Sequence, residues 1–313
     1  MAGSTSPRRA FAYFGWATLA YTMFVVLFGA WVRITGSGAG CGQHWPTCHG
    51  QIVPRSPSVA TIIEFTHRAT SGAYGLLVVV LLIWAIRSFP RGHLARLGAW
   101  LTLVFTITEA LVGAGLVTRG LVADNASIER ALMMSLHLVN TSLLTGALAL
   151  TCWSGARPQS RARLDWQRQR GPALVLLGVL VGMIIVGMSG AITALGDTLY
   201  PLADGSIAES LASDQQSDAH FLQRTRALHP LLAIGIGTVV LIVAQNLAGR
   251  PSGSAAQRYW ANVVSVGVLA QIAAGVVNIM LSAPGWMQIV HLMLGTSLWI
   301  AVVLLTASVV EPR

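Results

Sequence analysis

Residues 62–86 read IIEFTHRATSGAYGLLVVVLLIWAI, a largely apolar run with one histidine near its start. The hydrocarbon core of a bilayer is about 30 Å thick, and a helix of roughly 20 apolar residues crosses it. Of the whole chain, 54% is hydrophobic and only 10% is charged, which is more apolar surface than a soluble domain buries. The sequence therefore predicts an all-α polytopic membrane protein. Its eight predicted transmembrane helices lie near 13–34, 62–86, 97–118, 131–153, 172–194, 225–247, 259–281 and 287–308.

The basic residues fall mainly on one side of these spans. All twenty are arginines, and thirteen lie in the connections of one side, together with two acids, Asp165 and Glu311. The other side carries seven arginines and eight acids, counting Glu64. Because connections rich in Arg stay in the cytoplasm, both termini are predicted to be cytoplasmic and the protein to lie in the cell membrane. The net charge of +9 then belongs to the inner face and does not indicate nucleic-acid binding.

Four histidines lie near one end of the even-numbered spans, namely His67, His137, His229 and His291. Even-numbered spans run in the same direction, so the four imidazoles are predicted to lie at similar depth toward the outer face. Ionisable groups at such depth are costly and by default indicate a functional site. Two pairs of imidazoles facing a bundle interior suit haem iron, whereas zinc and copper usually add a carboxylate, a thiolate or a third histidine. The alternative is that these histidines only make structural hydrogen bonds.

The chain also repeats itself. An offset of 162 residues aligns His67 with His229 and pairs Glu109 with Gln271, and an offset of 154 aligns His137 with His291. The aligned segments are TEALVGAGLV (108–117) with AQIAAGVVNI (270–279), SLHLVNTSLL (135–144) with IVHLMLGTSLW (289–299), and GAWVRIT (29–35) with GMSGAIT (187–193).

This repeat predicts two pseudo-symmetric four-helix bundles. The N-terminal half comprises residues 1–153, and the C-terminal half comprises residues 171–313. A cytoplasmic Arg-rich linker, residues 154–170, joins them. Each half contributes one histidine from its second helix and one from its fourth, which is the arrangement that ligates one iron inside a bundle.

The two halves differ beside their histidines. Glu64 and His67 share a helix face, and Arg68 follows Glu64 by four residues and can pair with it. In a partly desolvated pocket Glu64 can move protons; alternatively, it only neutralises Arg68. Arg226 occupies the corresponding position of the second half, where a guanidinium can anchor a haem propionate. Glu109 is either a proton-path residue or a structural hydrogen-bonding group.

The first outward loop, RITGSGAGCGQHWPTCHGQIVPRS (33–56), differs from its counterpart at 195–222, which is acidic and has no cysteine. Cys41 and Cys48 lie where oxidising conditions permit a disulfide. This asymmetry predicts that one half performs chemistry while the other holds a fixed cofactor. The remaining histidines, His44, His49, His93 and His220, are expected to be solvated loop residues.

At these residues the chain resembles the haem A synthase family. The resemblance rests on GAWVRITGSGAGC, a second cysteine after six residues, EFTHR, HLVN, LHP and HLMLG, and it extends over essentially all eight spans. It implies an oxidoreductase that converts a ring methyl of haem O to a formyl group by successive hydroxylation. The product, haem A, serves terminal oxidases.

The resemblance also implies roles for single residues. Resident haem b would be bound in the C-terminal half, and the substrate haem O in the N-terminal half beside the catalytic acid or base. The second cysteine pair that some relatives carry in the later loop is missing from this sequence. The residues concerned are His229 and His291 for haem b, His67 and His137 for haem O, Glu64 for catalysis, and Cys41 with Cys48 as the outer-loop pair.

Two other functions remain open at this point. A di-haem b, quinol-linked electron-transfer cytochrome would need two equivalent halves, and the difference between Glu64 and Arg226 argues against it. A haem transporter or chaperone would leave the porphyrin unaltered. The expected partners are haem O delivered by a haem O synthase, an unidentified electron carrier and the lipid bilayer, and a homo-oligomer is left open.

Overall fold

The computed structural model describes residues 7–157, 166–201 and 207–310. Within these ranges the protein is helical, with a short 3-10 helix at Ser37–Ala39 and one isolated bridge between Cys48 and Gln51. The all-α fold is thereby confirmed. The helices are α1 (Pro7–Ile34), α2 (Val59–Ser88), α3 (Leu94–Thr118), α4 (Ile128–Gly155), α5 (Trp166–Leu199), α6 (Ile207–Asp214), α7 (Phe221–Arg224), α8 (Leu228–Ala248), α9 (Ala255–Met280) and α10 (Gly285–Val310).

Eight spans in the described ranges are long and apolar enough to cross a membrane, with α7 and α8 counting together as one span, Phe221–Ala248. This confirms the predicted multi-pass membrane fold. Most helices run past the predicted apolar segments because their ends carry polar residues; α5, for example, continues to Leu199. Large apolar side chains such as Leu76 and Leu231 are about 70% exposed on the helix surfaces, as contact with lipid requires.

Serine side chains begin three of the long helices. Ser58, Ser127 and Ser254 each accept a hydrogen bond from the backbone N–H three residues further on, over 3.0–3.2 Å. Such caps satisfy backbone donors that have no partner inside the helix. The polar serines therefore fix where α2, α4 and α9 start.

A histidine caps α3 in the same way. The Nδ1 atom of His93 accepts from the N–H of Ala95 over 3.1 Å, and its Nε2 atom lies 3.0 Å from the carbonyl oxygen of Arg157. The imidazole also stacks on Phe89 and is buried. The expectation of a solvated His93 is therefore wrong, because the ring joins the turn before α3 to the end of α4. His44 and His49 are exposed as expected.

The spanning helices pack as two groups. In the first bundle, α1 to α4, the chain neighbours contact each other and α4 closes back on α1; in the second bundle, α5, α8, α9 and α10 pack likewise. The two histidine-bearing helices of each bundle, α2 with α4 and α8 with α10, therefore stand on a diagonal and face each other across the interior. The bundles adjoin where α4 contacts α5 and α10 and where α1 contacts α10.

Each bundle has its own apolar core, centred on residues such as Leu81 and Leu148 in the first and Val264 and Val302 in the second. The internal symmetry and the division of function between residues 1–153 and 171–313 stay predictions. Of the predicted linker 154–170, residues 158–165 lie outside the described ranges.

Candidate haem sites

All four predicted histidines lie near the N-terminal ends of their helices and are half-buried. His67, His137 and His291 are the ninth, tenth and seventh residues of α2, α4 and α10. His229 is the second residue of α8 and follows the break between α7 and α8. Since these helices run in the same direction in an up-and-down chain, the structure places the imidazoles toward one end of the molecule.

The second bundle brings its two imidazoles close together. The ring centroids of His229 and His291 are 6.2 Å apart, and the ring planes are perpendicular, at 89°. Two imidazoles bound to opposite sides of one metal ion, with metal–nitrogen bonds of about 2 Å, have centroids roughly 6 Å apart. The separation therefore matches that of a bis-imidazole metal centre.

Neighbouring polar side chains hold these rings. The Ser189 Oγ atom lies 3.0 Å from Nδ1 of His229, and the Gln271 Nε2 atom lies 3.2 Å from Nε2 of His291. Among the described residues, Nδ1 of His291 is buried without a hydrogen-bond partner. A buried nitrogen without a partner is costly unless a ligand satisfies it.

The first bundle presents a comparable pair. Nδ1 of His67 is likewise buried without a partner among the described residues, and Phe28 packs edge-on against the ring at 5.6 Å. Nδ1 of His137 lies 3.3 Å from Oε1 of Glu109. The sequence left two roles open for Glu109, and the structure places its carboxylate beside a candidate iron ligand.

Each imidazole lies against a glycine of an adjacent helix. A Cβ atom placed on Gly29 would lie 3.1 Å from His67, and on Gly190 it would lie 2.9 Å from His229. For His137 and His291 the glycines are Gly113 and Gly275, with distances of 4.0 and 3.2 Å. At three of the four positions a residue larger than glycine would press on the imidazole. Glycine has no side chain, so it leaves room beside the candidate ligands.

The glycine contacts correct one alignment of the repeat. The sequence alignment pairs Gly29 with Gly187, at an offset of 158. In the structure, however, the glycine that lies against His229 as Gly29 lies against His67 is Gly190, at an offset of 161. Gly187 instead packs against Leu138. A shift of three residues is close to one helical turn and keeps the same face, so the apolar pattern fits both alignments.

These features fit haem better than a bare metal ion. The residues offer one imidazole pair at bis-ligation distance, buried nitrogens without partners and glycine-lined space beside the rings. Within the described ranges, no group of three or more His, Cys, Asp or Glu side chains is placed to hold a metal ion. Structural zinc typically has four ligands, which a pair of imidazoles does not supply.

Glu64 lies under the loop at residues 33–56 of the first bundle and is only 3% exposed. Its Oε2 atom accepts a hydrogen bond from the backbone N–H of Cys41 over 2.8 Å, and its Oε1 atom pairs with Arg68. Arg68 also donates to the carbonyl oxygens of His44 and Thr47, over 2.6 and 2.7 Å. The predicted pairing of Glu64 with Arg68 is confirmed, and the structure adds that both side chains hold the loop.

A disulfide joins Cys41 to Cys48 within this loop, as predicted. The loop is seated on the start of α2 because the carbonyl oxygen of Gly40 accepts from the Thr61 hydroxyl over 2.7 Å. The backbone of Gly40 touches that of Ala60 so closely that any Cβ atom would overlap it. The loop therefore packs directly above the helical turn that carries Glu64 and His67.

Arg226 is buried and already engaged by acids that the sequence did not suggest. Its Nε atom lies 2.8 Å from Asp197, and an Nη1 atom lies 2.6 Å from Asp214. Its Nη2 atom donates to the carbonyl oxygen of Tyr200 over 2.6 Å. In the second bundle this guanidinium fastens α6 and the segment before α8 to α5, and its contact with a propionate stays a prediction.

Fold and site together define a class: a multi-pass membrane protein with two histidine pairs, each held between diagonal helices of a bundle. The chain belongs to the COX15-CtaA family of cytochrome oxidase assembly proteins, whose sequence pattern matches residues 12–303. The family predicted from the motifs is thus confirmed.

Two kinds of relatives are similar to the chain. A protoheme IX farnesyltransferase of Thermus thermophilus is 49% identical over 302 residues, which cover 96% of this chain and 48% of the relative. A heme A synthase of Halalkalibacterium halodurans is 30% identical over 276 residues, 86% of each chain. A heme A synthase of Exiguobacterium sibiricum is 34% identical over 180 residues, 56% of each chain. The chain therefore spans about half the length of its Thermus relative and most of the length of the Halalkalibacterium one.

Proposed function

We propose that this chain is a haem A synthase, an oxidoreductase that converts a ring methyl group of haem O to a formyl group. The observation that carries the proposal is the unequal pair of histidine sites. Both bundles hold two histidines on diagonal helices. In the first, a buried carboxylate, Glu64, lies one helical turn before His67 and under a disulfide-bonded loop, whereas in the second Arg226 occupies the aligned position and the buried acids near it pair with its guanidinium. The relatives named heme A synthase support the same activity.

In this proposal the second bundle holds a resident haem b between His229 and His291. The 6.2 Å separation of their rings and the support from Ser189 and Gln271 favour a permanent site. Arg226, at the outer end of the same bundle, is proposed to anchor a propionate. Haem iron supplies the oxidising chemistry that no amino-acid side chain provides.

The first bundle would bind the substrate haem O between His67 and His137. Glu64 lies one helical turn from His67 and is proposed to act as the acid or base beside the substrate. Arg68 and the N–H of Cys41 hold the Glu64 carboxylate in place, so the loop that covers this site also orients the catalytic group.

The protein is proposed to lie in the cell membrane with both histidine sites toward the outer face, because arginines concentrate in the opposite connections. Haem O would reach it from a haem O synthase. The similarity to a Thermus chain of about twice the length, named protoheme IX farnesyltransferase, supports a close link between the two reactions. An unidentified electron carrier and the lipid bilayer complete the proposed partners.

The function is tested by expressing the chain in a bacterial host that makes haem O but no haem A. Mass spectrometry of the extracted porphyrins should show haem A. His67→Ala and His137→Ala should abolish haem A but retain haem b, whereas His229→Ala and His291→Ala should lose the resident haem b. A well-expressed protein that holds two haem b molecules and forms no haem A would instead favour an electron-transfer cytochrome. Release of unaltered haem would favour a transporter.

A further inference from the structure

Glu109, in the middle of α3, is surrounded by polar groups inside the first bundle. The Asn140 Nδ2 atom donates to its Oε2 atom over 2.5 Å, and the Thr141 hydroxyl donates to Oε1. Asn140 is itself oriented by the Thr108 hydroxyl, which donates to its Oδ1 atom over 2.6 Å. A carboxylate within a membrane span is costly, and this cage offsets part of that cost.

The same carboxylate reaches the candidate iron ligand. Oε1 of Glu109 lies 3.3 Å from Nδ1 of His137, an ion-pair contact that is not aligned as a hydrogen bond, and it leaves Nε2 for a metal. A carboxylate behind a ligating histidine fixes the ring orientation and raises the basicity of the ligand. Glu109 thus has both the position and the charge to act on the iron through His137.

The second bundle has the contact but lacks the charge. Gln271 occupies the aligned position, and its Nε2 atom lies 3.2 Å from Nε2 of His291. The nitrogen left for a metal is therefore Nδ1 in His291, whereas it is Nε2 in His137. The cage is missing as well, because Ala270, Leu294 and Gly295 stand where the first bundle has Thr108, Asn140 and Thr141. A Cβ atom on Gly295 would lie 3.1 Å from the Gln271 amide, so the amide side chain fills the space that Thr141 occupies in the first bundle.

We propose that Glu109 is a positioning residue for His137 that makes haem iron in the first bundle easier to oxidise than haem iron in the second. A negative charge transmitted through the imidazole stabilises the ferric state, whereas the neutral Gln271 amide does not. This inference rests on the proposed function only in requiring that both bundles bind haem. It attributes to Glu109 a difference in redox potential between the haem iron of the first bundle and that of the second.

The test exchanges the two side chains in the purified full-length protein loaded with iron protoporphyrin IX. The variants are Glu109→Gln, Gln271→Glu and the double exchange, and the readouts are the midpoint potential of each haem and its electron paramagnetic resonance spectrum. His67→Ala and His229→Ala assign each signal to a bundle. Glu109→Gln should raise the potential of the first haem alone, and Gln271→Glu should lower that of the second alone. Glu109→Asp should keep the first potential below that of Glu109→Gln.

Unchanged potentials and spectra in Glu109→Gln with both haems bound would overturn the inference and leave the proposed function intact. Should Glu109→Gln lose its first haem, Gln271→Glu decides, and an unchanged second potential in that variant overturns the inference. A wild-type protein that binds no iron protoporphyrin IX would contradict the proposed function itself, and the inference with it.

Discussion

At the scale of single residues, Glu64 shows how one carboxylate serves a loop and a site together. Its two oxygens bind the N–H of Cys41 and the guanidinium of Arg68, and Arg68 binds two further loop carbonyls. A charged side chain this deeply buried needs such partners to offset the loss of hydration. A test of catalysis by Glu64 therefore needs a substitution that keeps its contacts with the loop and removes only its acid–base function.

Glu64→Gln separates them. The amide oxygen can still accept from Cys41, so the loop should stay in place, but the group no longer exchanges protons at neutral pH. General acid–base catalysis contributes roughly 10²–10⁴-fold, so haem A formation should fall by about that factor while resident haem b is retained. Extracted porphyrins give the yield, and Glu129→Gln, an exposed partner of Arg119, is the matched control. Haem A formation equal to that of the control would exclude a catalytic Glu64.

At the scale of elements, close helix contacts beside the histidines depend on glycine. Gly275 and Gly267 both lie on α9 and face α10 at nearly the same distance. A Cβ atom would come 3.2 Å from His291 at the first position and 3.1 Å from Leu298 at the second. The two positions differ in what they press on, a candidate iron ligand or a core leucine.

Gly275→Ala and Gly267→Ala should therefore destabilise the protein alike, by about 1–3 kcal/mol for an overpacked contact. Only Gly275→Ala should displace the imidazole and lower the haem content of the second bundle. Thermal unfolding in detergent measures the first effect, and the haem-to-protein ratio measures the second. Equal haem content in the two variants would show that Gly275 matters for packing alone.

His93 ties two elements together at the end of the bundle opposite to the histidine pairs. Burial lowers the pKa of His93 below its ordinary 6.5, and nearby Arg8 lowers it further, although the carbonyl of Arg157 acts in the other direction. The folded protein thus resists protonation that the unfolded chain accepts near pH 6.5. As the pH falls from 6.5 toward the folded pKa, the free energy of unfolding decreases.

As the pH falls below about 6.5, the melting temperature should accordingly decrease less steeply in His93→Asn than in wild type. Asparagine keeps a side chain able to cap α3 but does not titrate. Scans of thermal unfolding against pH compare wild type, His93→Asn and, as an exposed control, His49→Asn. Parallel curves for wild type and His93→Asn would show that His93 does not set this dependence.

The elements also show what the sequence could and could not predict. The length of the apolar runs predicted the eight spans, and the spacing of four residues predicted that Glu64 can pair with Arg68. The partners of Arg226 were missed because Asp197 and Asp214 come from separate segments, one of them the short helix α6. The sequence showed that Glu109 and Gln271 occupy equivalent positions, because they align at the offset that aligns His67 with His229. It did not show that Glu109 contacts His137.

At the scale of the whole molecule, the two bundles are joined by polar bonds as well as apolar packing. Arg33, at the end of α1, donates to the Ala194 carbonyl over 2.7 Å and to the Thr198 hydroxyl on α5. It also donates to Oε1 of Gln288 on α10 over 2.8 Å. The Trp299 indole N–H donates to the Ser142 carbonyl over 2.7 Å, which links α10 to α4.

Arg33→Met should weaken the association of the bundles, because it removes the charged donor of these bonds and keeps an apolar stem. Hydrogen bonds to charged groups contribute about 1.5–3 kcal/mol each, so losing even one should reduce association by about tenfold or more. Residues 1–157 and 166–313, co-expressed as separate chains, allow this to be measured as the amount of untagged half that co-purifies with the tagged half. Arg119→Met is the control, since its side chain is 63% exposed and its ion pair contributes little. If both variants co-purify alike, apolar packing between α1, α4, α5 and α10 suffices to hold the two bundles together.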